Sequence, residues 1–206
     1  IDEYWDMFFD AVLVDYDELD RKMDKVLEKF DQGKMVKIIG KNTDLSFSIE
    51  GRPGTKCSGE CNIPDGEVFY APVENSINGH IHYDFPIVRY GVQVDNVQLE
   101  FKDGRVIAAR ASGNEEFLNK ILDTDEGARY IGEFGIGLNY GIKRYIKNIL
   151  FDEKIGGTIH LACGQAYEES LGTNRSNIHW DMIKDLRRGG EIYLDGELVM
   201  KDGVWL

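Results

Sequence analysis

The feature that most constrains the fold of this chain is an Asp-Gly turn that recurs between segments of alternating apolar and polar residues. One such turn, within residues 102–105, separates the segments 97–101 and 106–109. A second, Asp195-Gly196, lies in a similar pattern near the end of the chain. Asp-Gly adopts the positive φ angles that tight hairpins require, and alternation with a period of two gives a strand one apolar face. These turns predict that the chain folds largely into antiparallel hairpins.

Two helical segments interrupt the strand pattern. Asp15 is expected to cap a helix that ends at Gly33, because apolar residues recur every three or four positions between them. A second, shorter helix is predicted to begin near Asn114. With about six to nine strands against two or three helices, the chain is predicted to adopt an α+β fold. Its sheet is expected to be mainly antiparallel and curved or barrel-like.

The chain is expected to divide near residue 33. Residues 1–33 are predicted to form a helical arm that is the remnant of a missing upstream domain, and residues 34–206 to form the main domain. The first residue is Ile1 rather than Met, which favours a fragment of a longer protein. These boundaries place every candidate functional residue described below in the main domain.

The charge and the cysteines narrow the functional classes. With 24 basic and 37 acidic residues, the net charge is −13, which would repel nucleic acid over most of the surface. The first residues show no signal-peptide pattern, and no apolar run is long enough to span a bilayer. The odd number of cysteines, three, indicates reduced thiols rather than a disulfide framework. We therefore expect a cytoplasmic protein that binds neither nucleic acid nor a membrane.

Histidines and a carboxylate at unusual positions are candidates for a functional site. His179 and Asp181 are two residues apart, so a strand would place both on one face, where an imidazole nitrogen and a carboxylate oxygen suit a divalent ion such as zinc. His160 lies in a short apolar segment bounded by glycines, with small residues on its own face. A core histidine bonded to a neighbouring carbonyl group fits the same pattern, so the sequence leaves both interpretations open.

Two glutamates lie in similarly apolar surroundings. Glu67 and Glu133 each follow a glycine, and an unpaired ionised carboxylate would be costly to bury there. For Glu133 a basic neighbour would relieve that cost, and Arg129, Lys143 and Arg144 are available nearby. A metal ion would relieve it equally well. The residues alone do not decide between the two.

Five blocks of sequence occur in a fixed order from about residue 51 to the C-terminus. They are Gly-Glu-Val-Phe-Tyr-Ala-Pro at 66–72, Ile-Gly-Glu-Phe at 131–134, Phe-Asp-Glu-Lys-Ile-Gly-Gly-Thr-Ile-His at 151–160, Gly-Gln-Ala-Tyr at 164–167 and Asn-Arg-Ser-Asn-Ile-His-Trp-Asp at 174–181. Together they resemble the aminopeptidase T family of metallopeptidases, the M29 or thermophilic aminopeptidases. The number and order of the blocks make this resemblance far more specific than any single block.

The resemblance implies a function and a set of site residues. It implies a homodimeric metallo-aminopeptidase that removes the first residue of peptides with a free N-terminus, with a broad preference for apolar or basic side chains. The expected cofactors are two divalent metal ions, which can be zinc, cobalt, magnesium or manganese. Residues 34–206 would then be the metal-binding catalytic domain. The implied metal ligands are Glu67, Glu133, His160, His179 and Asp181, and the implied active-site tyrosine is Tyr167.

The same resemblance suggests how the reaction would run. Five ligands can hold two ions if one carboxylate bridges them, and the sequence does not choose between Glu67 and Glu133. A water shared by the ions would supply hydroxide near neutral pH. Tyr167 would donate a hydrogen bond to the tetrahedral intermediate, although a packing aromatic also fits its sequence. Glu133 is the preferred proton carrier, and Glu153 is a reserve acid that would orient a histidine ligand.

Three other functions fit parts of the sequence. The chain could be another two-metal hydrolase such as a phosphoesterase, a truncated and catalytically silent metal-binding or dimerisation domain, or a β-rich structural module. His80 and His82 also lie two apart, but no block of the resemblance includes them, and we expect structural roles for both. The glycines between residues 132 and 141 miss the spacing of a dinucleotide-binding loop, so no nucleotide cofactor is predicted.

Overall fold

The computed structural model describes residues 2–206 and shows the predicted α+β fold. The helices of the described residues are α1 (Asp2–Val12), α2 (Tyr16–Phe30), α3 (Glu115–Leu122), α4 (Ile149–Asp152) and a 3-10 helix (Glu126–Arg129). The first seven strands are β1 (Met35–Gly40), β2 (Thr43–Ser48), β3 (Thr55–Cys57), β4 (Glu67–Tyr70), β5 (Asn78–His82), β6 (Ile87–Arg89) and β7 (Val92–Val94). The remaining strands are β8 (Gln98–Lys102), β9 (Arg105–Arg110), β10 (Ile131–Gly137), β11 (Thr158–Gly164), β12 (His179–Asp185), β13 (Glu191–Leu194), β14 (Glu197–Lys201) and β15 (Val204–Trp205).

Local signals placed both predicted helices correctly. The carboxylate of Asp15 accepts a hydrogen bond of 2.9 Å from the backbone N–H of Glu18, which caps the first turn of α2. Apolar residues of α2 line the buried face, and the helix ends at Phe30, just before Gly33. Helix α3 begins after Asn114, as predicted. The amphipathic pattern therefore determined where both elements begin.

An eight-stranded sheet contains the predicted hairpins. Its strand order is β15-β14-β13-β1-β2-β5-β8-β9, and every neighbouring pair is antiparallel. Asp103 and Gly104 join β8 to β9, and Asp195 and Gly196 join β13 to β14; all four have positive φ angles of 48° to 86°. This confirms the hairpin prediction. The strand count was too low because the pattern missed short strands such as β3, β6, β7 and β15.

A second sheet has five strands in the order β12-β11-β10-β4-β3, again antiparallel throughout. A separate two-stranded ribbon pairs β6 with β7. In both large sheets the first and last strands do not pair with each other. The sheets are thus open, and the mainly antiparallel architecture does not close into a barrel.

The main core lies between the two large sheets and α2. Phe47 from the eight-stranded sheet and Phe134 from the five-stranded sheet meet edge to face, with ring centroids 5.0 Å apart. Phe30 of α2 packs against Phe134 at 6.3 Å. Because side chains alternate along a strand, the residues next to Phe134 on β10 face the opposite side of the sheet. Among the described residues, no helix combines the length and the apolar character needed to cross a membrane.

Candidate metal centre

The register of the five-stranded sheet brings separated residues into one row. Glu133 on β10 lies opposite Ala162 on β11, and Ala162 lies opposite Asp181 on β12. Directly paired residues of neighbouring strands project from the same face of a sheet. Two residues further along the same strands, and therefore on the same face, His160 pairs with Gly135. These pairings place the candidate donors on the face of the sheet that points away from the main core.

Glycine and alanine between the donors leave the space that the imidazole of His160 occupies. The ring of His160 lies directly over Gly135, where a β-carbon would overlap the ring atoms. His160 is only 1% exposed, so the ring has no room to move aside into solvent. The apolar segment with small neighbours that singled out His160 in the sequence is thus a cradle for its side chain.

All five side chains expected to bind metal come together in the structure. Nε2 of His160 lies 3.4 Å from Oε2 of Glu67 and 3.4 Å from Oε1 of Glu133. Nε2 of His179 lies 3.0 Å from Oε2 of Glu133. The same nitrogen lies 3.4 Å from Oδ1 of Asp181. An unbroken chain of close contacts therefore joins donors that are more than a hundred residues apart in sequence.

Backbone carbonyl groups fix the orientation of both imidazoles. Nδ1 of His160 lies 3.1 Å from the carbonyl oxygen of Glu153, and Nδ1 of His179 lies 2.8 Å from that of Gln165. A proton on each Nδ1 satisfies these contacts and turns the lone pair of Nε2 toward the carboxylates. Glu153 does orient a histidine, as predicted, but through its backbone and not through its carboxylate. Both rings are held as metal ligands commonly are.

The pKa values in the cluster indicate that a positive charge between the donors stabilises the ionised carboxylates. Burial alone would raise the pKa of Glu133, but hydrogen bonds from His160 and His179 lower it to about 2. Burial would lower the pKa of both histidines, yet the facing carboxylates raise them to about 10 for His160 and about 11 for His179. Burial raises the pKa of Glu67 to about 7, against the opposing effect of His160 and Lys154. A cation at Nε2, either a proton or a metal ion, stabilises this arrangement.

Lys154 belongs to the cluster, although the sequence did not predict this role for it. The side chain of Lys154 is fully buried, with Nζ 3.3 Å from Oε1 of Glu67 and paired with Oε1 of Glu153. A lysine buried this completely needs partners, because an unpaired ammonium group is costly to desolvate. The signal was present in the sequence as a charged pair inside the apolar block that ends at His160.

The donor set fits a divalent metal ion. Oε2 of Glu67 and Oδ1 of Asp181 are buried and accept no hydrogen bond from any residue in 2–206. Donor atoms that share an ion at about 2.1 Å lie roughly 3.4 Å apart in a tetrahedral site, close to the contacts above. Two groups of ligand atoms each lie within 4.8 Å of one another: Glu133, His160 and Asp181 form one, and Glu67, Glu153 and His160 form the other.

The basic residues considered as partners of Glu133 are engaged elsewhere. Arg129 pairs with Asp123 at 2.7 Å, and Lys143 pairs with Asp10 at 2.6 Å. Nε of Arg144 contacts the sulfur of Met7. The interpretation in which one of these three residues neutralises Glu133 is therefore wrong. His80 and His82 lie on β5 in the other large sheet, away from the cluster.

Tyr167 lies at the exposed edge of the cluster. Its ring packs against the imidazole of His179, with centroids 4.9 Å apart, and against Phe69 at 5.3 Å. Tyr167 is 42% exposed, so part of the residue is in contact with solvent. Burial, together with the carboxylates of the cluster, raises the pKa of the Tyr167 phenol, which keeps the phenol protonated at neutral pH. Its position suits a hydrogen-bond donor, and its role in catalysis stays a prediction.

A cavity of about 140 Å³ adjoins the cluster beside His179 and Asp181. Its walls come from the two-stranded ribbon, from the segment before α4 and from β12. Most lining side chains are apolar, and among them are Phe85, Ile87, Val88, Tyr145, Ile149, Trp180 and Ile183. The cluster therefore faces a space that can receive a small apolar group.

The fold has two large open antiparallel sheets, and one of them carries a buried set of imidazole and carboxylate donors. This is an α+β protein with a candidate centre for divalent metals. The chain belongs to the thermophilic metalloprotease (M29) family, whose model matches residues 1–205. It is 32% identical to aminopeptidase T from Thermus thermophilus, over 81% of this chain and 48% of that protein. The chain spans about half the length of the curated relatives it matches.

Solved structures support the same assignment of the fold. Wild-type AmpT from Thermus thermophilus matches with a TM-score of 0.86 and 26% identity, covering 98% of this chain and 58% of that one. A 2,5-dihydroxypyridine dioxygenase from Pseudomonas putida KT2440 matches with a TM-score of 0.76 and 18% identity, covering 97% of this chain and 62% of that one. The second likeness concerns the fold alone. Because one fold can carry different chemistries, the reaction must be argued from the site.

Proposed function

We propose that this chain is the metal-binding catalytic part of an aminopeptidase that hydrolyses the first peptide bond of peptides with a free N-terminal amine. The observation that carries the proposal is the convergence of five donors from neighbouring strands of one sheet. Membership of a metalloprotease family supports a hydrolytic role for these donors. The named relatives that are aminopeptidases support the substrate class.

We propose that these five donors would hold two divalent ions, with Glu133 placed to serve both parts of the site. One oxygen of Glu133 faces His160 and the other faces His179, whereas Glu67 contacts only the first of these histidines. Asp181 accompanies His179 at the other end. Zinc, cobalt, magnesium or manganese ions, when bound, polarise the scissile carbonyl group and lower the pKa of water. These contacts support Glu133 rather than Glu67 as the ligand that both parts of the site would have in common.

The protein groups around the donors have separate tasks in this proposal. Lys154 keeps Glu67 and Glu153 together by contacting both carboxylates inside the protein. Glu133 accepts and returns the proton of the attacking water. Tyr167 donates its phenolic hydrogen bond to the developing oxyanion, a contribution of about 3 to 4 kcal/mol when such a donor is well placed.

The cavity beside His179 and Asp181 would receive the side chain of the residue that is removed. Its lining combines apolar side chains with Arg89, Lys147 and Asp152, and the apolar part favours aliphatic and aromatic side chains because transfer of such groups from water is favourable. The free amine of the substrate would lie near the carboxylates at the mouth of the cavity, where Oδ1 of Asp181 accepts no hydrogen bond from residues 2–206. An amide in place of this amine would lose that attraction.

The experiment is an assay of the metal-loaded chain with leucine p-nitroanilide, its N-acetylated form and p-nitrophenyl phosphate. We expect cleavage of the free-amine substrate only. Glu133→Gln should lower the rate at least a hundredfold, because it removes both the shared ligand and the proton carrier. Glu100→Gln, which changes an exposed glutamate on β8, is the matched control and should leave the rate unchanged.

Two outcomes of this experiment would overturn the proposal. Hydrolysis of the phosphate ester without peptidase activity would assign a phosphoesterase. Two equivalents of bound metal without any turnover would assign a silent metal-binding domain. The homodimer is an expectation from the resemblance and the cytoplasmic location is an expectation from the cysteines, and we retain both as part of the proposal.

A further inference from the structure

Two cysteines outside the metal centre lie close together in the loop that leads to β4. Cys57 ends β3 and is buried, whereas Cys61 is exposed on the loop. Their sulfur atoms are 3.1 Å apart. A disulfide bond needs about 2.05 Å, so closure requires the two sulfurs to approach by only about 1 Å. The third cysteine, Cys163, is fully buried on β11 and lies in another part of the sheet.

Hydrogen bonds hold the loop between the two cysteines in a defined conformation. Ser58 donates its hydroxyl hydrogen to Asp20 of α2 at 2.7 Å. The backbone N–H of Gly59 donates to Asp65 at 2.9 Å, and the N–H of Asn62 donates to the same oxygen at 3.2 Å. Because the loop is already ordered, joining the two sulfurs costs little additional chain entropy.

We propose that Cys57 and Cys61 form a reversible intrachain disulfide and that this loop is a redox modification site. The oxidant is a small disulfide of the glutathione class. Exposed Cys61 attacks it, which forms a mixed disulfide and releases one small thiol. Cys57 then attacks the sulfur of Cys61 and releases the second small thiol. Two protein S–H bonds are lost, one S–S bond forms, and both protons leave on the two small thiols.

The loop is connected to the metal centre through β3 and β4. Cys57 pairs directly with Glu67 in the antiparallel register of these strands. Asp65, two residues before Glu67, accepts three backbone N–H bonds, from Gly59, Asn62 and Gly66. The disulfide would therefore tether the loop that precedes one of the candidate ligands. This proposal does not rest on the proposed function, because formation of the disulfide between Cys57 and Cys61 can be measured whether or not the chain is an enzyme.

Metal binding by the same group is the competing explanation. Cys57, Cys61 and Asp65 offer ligand atoms within 4.8 Å of one another. Only two of these donors are thiols, and the carboxylate of Asp65 already accepts three hydrogen bonds. Structural zinc sites usually have four protein ligands, most of them cysteine or histidine. The observations thus favour the disulfide.

The test equilibrates the full chain with mixtures of reduced and oxidised glutathione, blocks free thiols by alkylation and maps the peptides by mass spectrometry. We expect a peptide that has lost two hydrogen atoms and contains linked Cys57 and Cys61. Titration of the native chain with a thiol reagent should show both thiols lost on oxidation and restored by dithiothreitol. Cys61→Ser should abolish the linked peptide, and Cys163→Ser, the matched control, should retain it.

Three results would overturn the proposal. Free Cys57 and Cys61 in excess oxidised glutathione would exclude the disulfide under the conditions that should favour it. A mixed disulfide that stays on Cys61, or a crosslink between two chains, would show that Cys57 does not complete the exchange. One equivalent of zinc that protects both thiols, and that is lost in Cys61→Ser, would assign a metal site to the loop.

Discussion

Gly135 and Ala162 make space for the donors that neighbouring strands bring together. Ala162 lies between Glu133 and Asp181 in one cross-strand row, and Gly135 lies beneath His160. In a sheet, large side chains at directly paired positions compete for the same volume. Small residues at these two positions allow the bulky ligands to converge. The functional value of Gly135 thus comes from the absence of a side chain and not from backbone flexibility.

The first prediction follows from this cradle. Gly135→Ala should displace the ring of His160 and weaken the binding of divalent metal by about 10- to 100-fold, the usual effect of disturbing the groups that support a ligand. Isothermal titration with zinc or manganese would measure it. Gly113→Ala is the matched control, because the nearest atom to the added carbon there is a side-chain oxygen of Asp95 at 3.1 Å. Equal affinities in the two variants would contradict the role of Gly135.

Sequence reasoning identified single residues unevenly. The spacing of His179 and Asp181 predicted that both lie on one face of a strand, but their role as metal ligands was implied by the resemblance. His160 and the two glutamates needed the family resemblance, since a core histidine or a basic neighbour explained them equally well. The charged pair Glu153-Lys154 in an apolar block was the local signal for Lys154, but it does not show that the lysine is fully buried. Its partner Glu67 lies on β4, which only the fold brings close to Lys154.

At the scale of elements, α2 links the N-terminal segment to the sheets. Asp15→Ala removes the side-chain oxygen that accepts the N–H of Glu18, so we expect a loss of about 1 kcal/mol in the free energy of unfolding. Urea denaturation monitored by circular dichroism would measure it. Glu28→Ala, an exposed change in the last turn of the same helix, should alter stability by less than about 0.5 kcal/mol. A loss of the same size in both variants would exclude capping as the cause.

The end of β12 should make stability depend on pH. Burial opposes ionisation of Asp185, but hydrogen bonds from the guanidinium group and the N–H of Arg187 lower its pKa below the ordinary value of 3.8. A carboxyl group with a lowered folded-state pKa stabilises the fold above the unfolded value and loses this effect as the pH falls through the folded value. Asp185→Asn should therefore lower Tm at neutral pH.

The difference in Tm between wild type and Asp185→Asn should shrink as the pH falls below 3.8, where the wild-type carboxyl group becomes protonated. Differential scanning calorimetry across this range would show it. Asp6→Asn, which changes an exposed residue of α1, serves as the control and should show no such trend. A difference that stays constant down to the lowest pH would mean that the ion pair with Arg187 does not stabilise the native state.

Elements differed in how far the sequence could predict them. Hairpins such as β8–β9 and β13–β14 followed from local turns and alternation, which do not depend on the rest of the fold. Strands β4, β10 and β11 are buried along their whole length, so they lack the alternation that marks a strand with one solvent face. Their order in the five-stranded sheet depends on long-range pairing. That strand order brings the donors of the site together, and the local alternation of apolar and polar residues could not predict it.

At the scale of the whole molecule, the metal centre concentrates negative charge inside a protein that is already acidic. The net charge is −13, and the centre holds four carboxylates, of which only those of Glu67 and Glu153 contact the ammonium group of Lys154. Burial of like charges without cations opposes folding, because desolvation and repulsion add to each other. Ions bound by these groups should therefore stabilise the whole fold.

The last prediction concerns metal removal. A ligand that binds only the folded state at a concentration 100 times its Kd adds about 2.7 kcal/mol of stability, which for a chain of this size raises Tm by roughly 5 to 10 °C. Exhaustive chelation should lower Tm by this amount, and added zinc or manganese should restore it. Asp181→Asn should reduce the response because it removes one donor. Asp44→Asn, an exposed change on β2, should preserve the full response. If chelation leaves Tm unchanged in wild type, the carboxylates must be neutralised by protons, with the imidazoles of His160 and His179 charged, and the donor cluster would be a structural ion network.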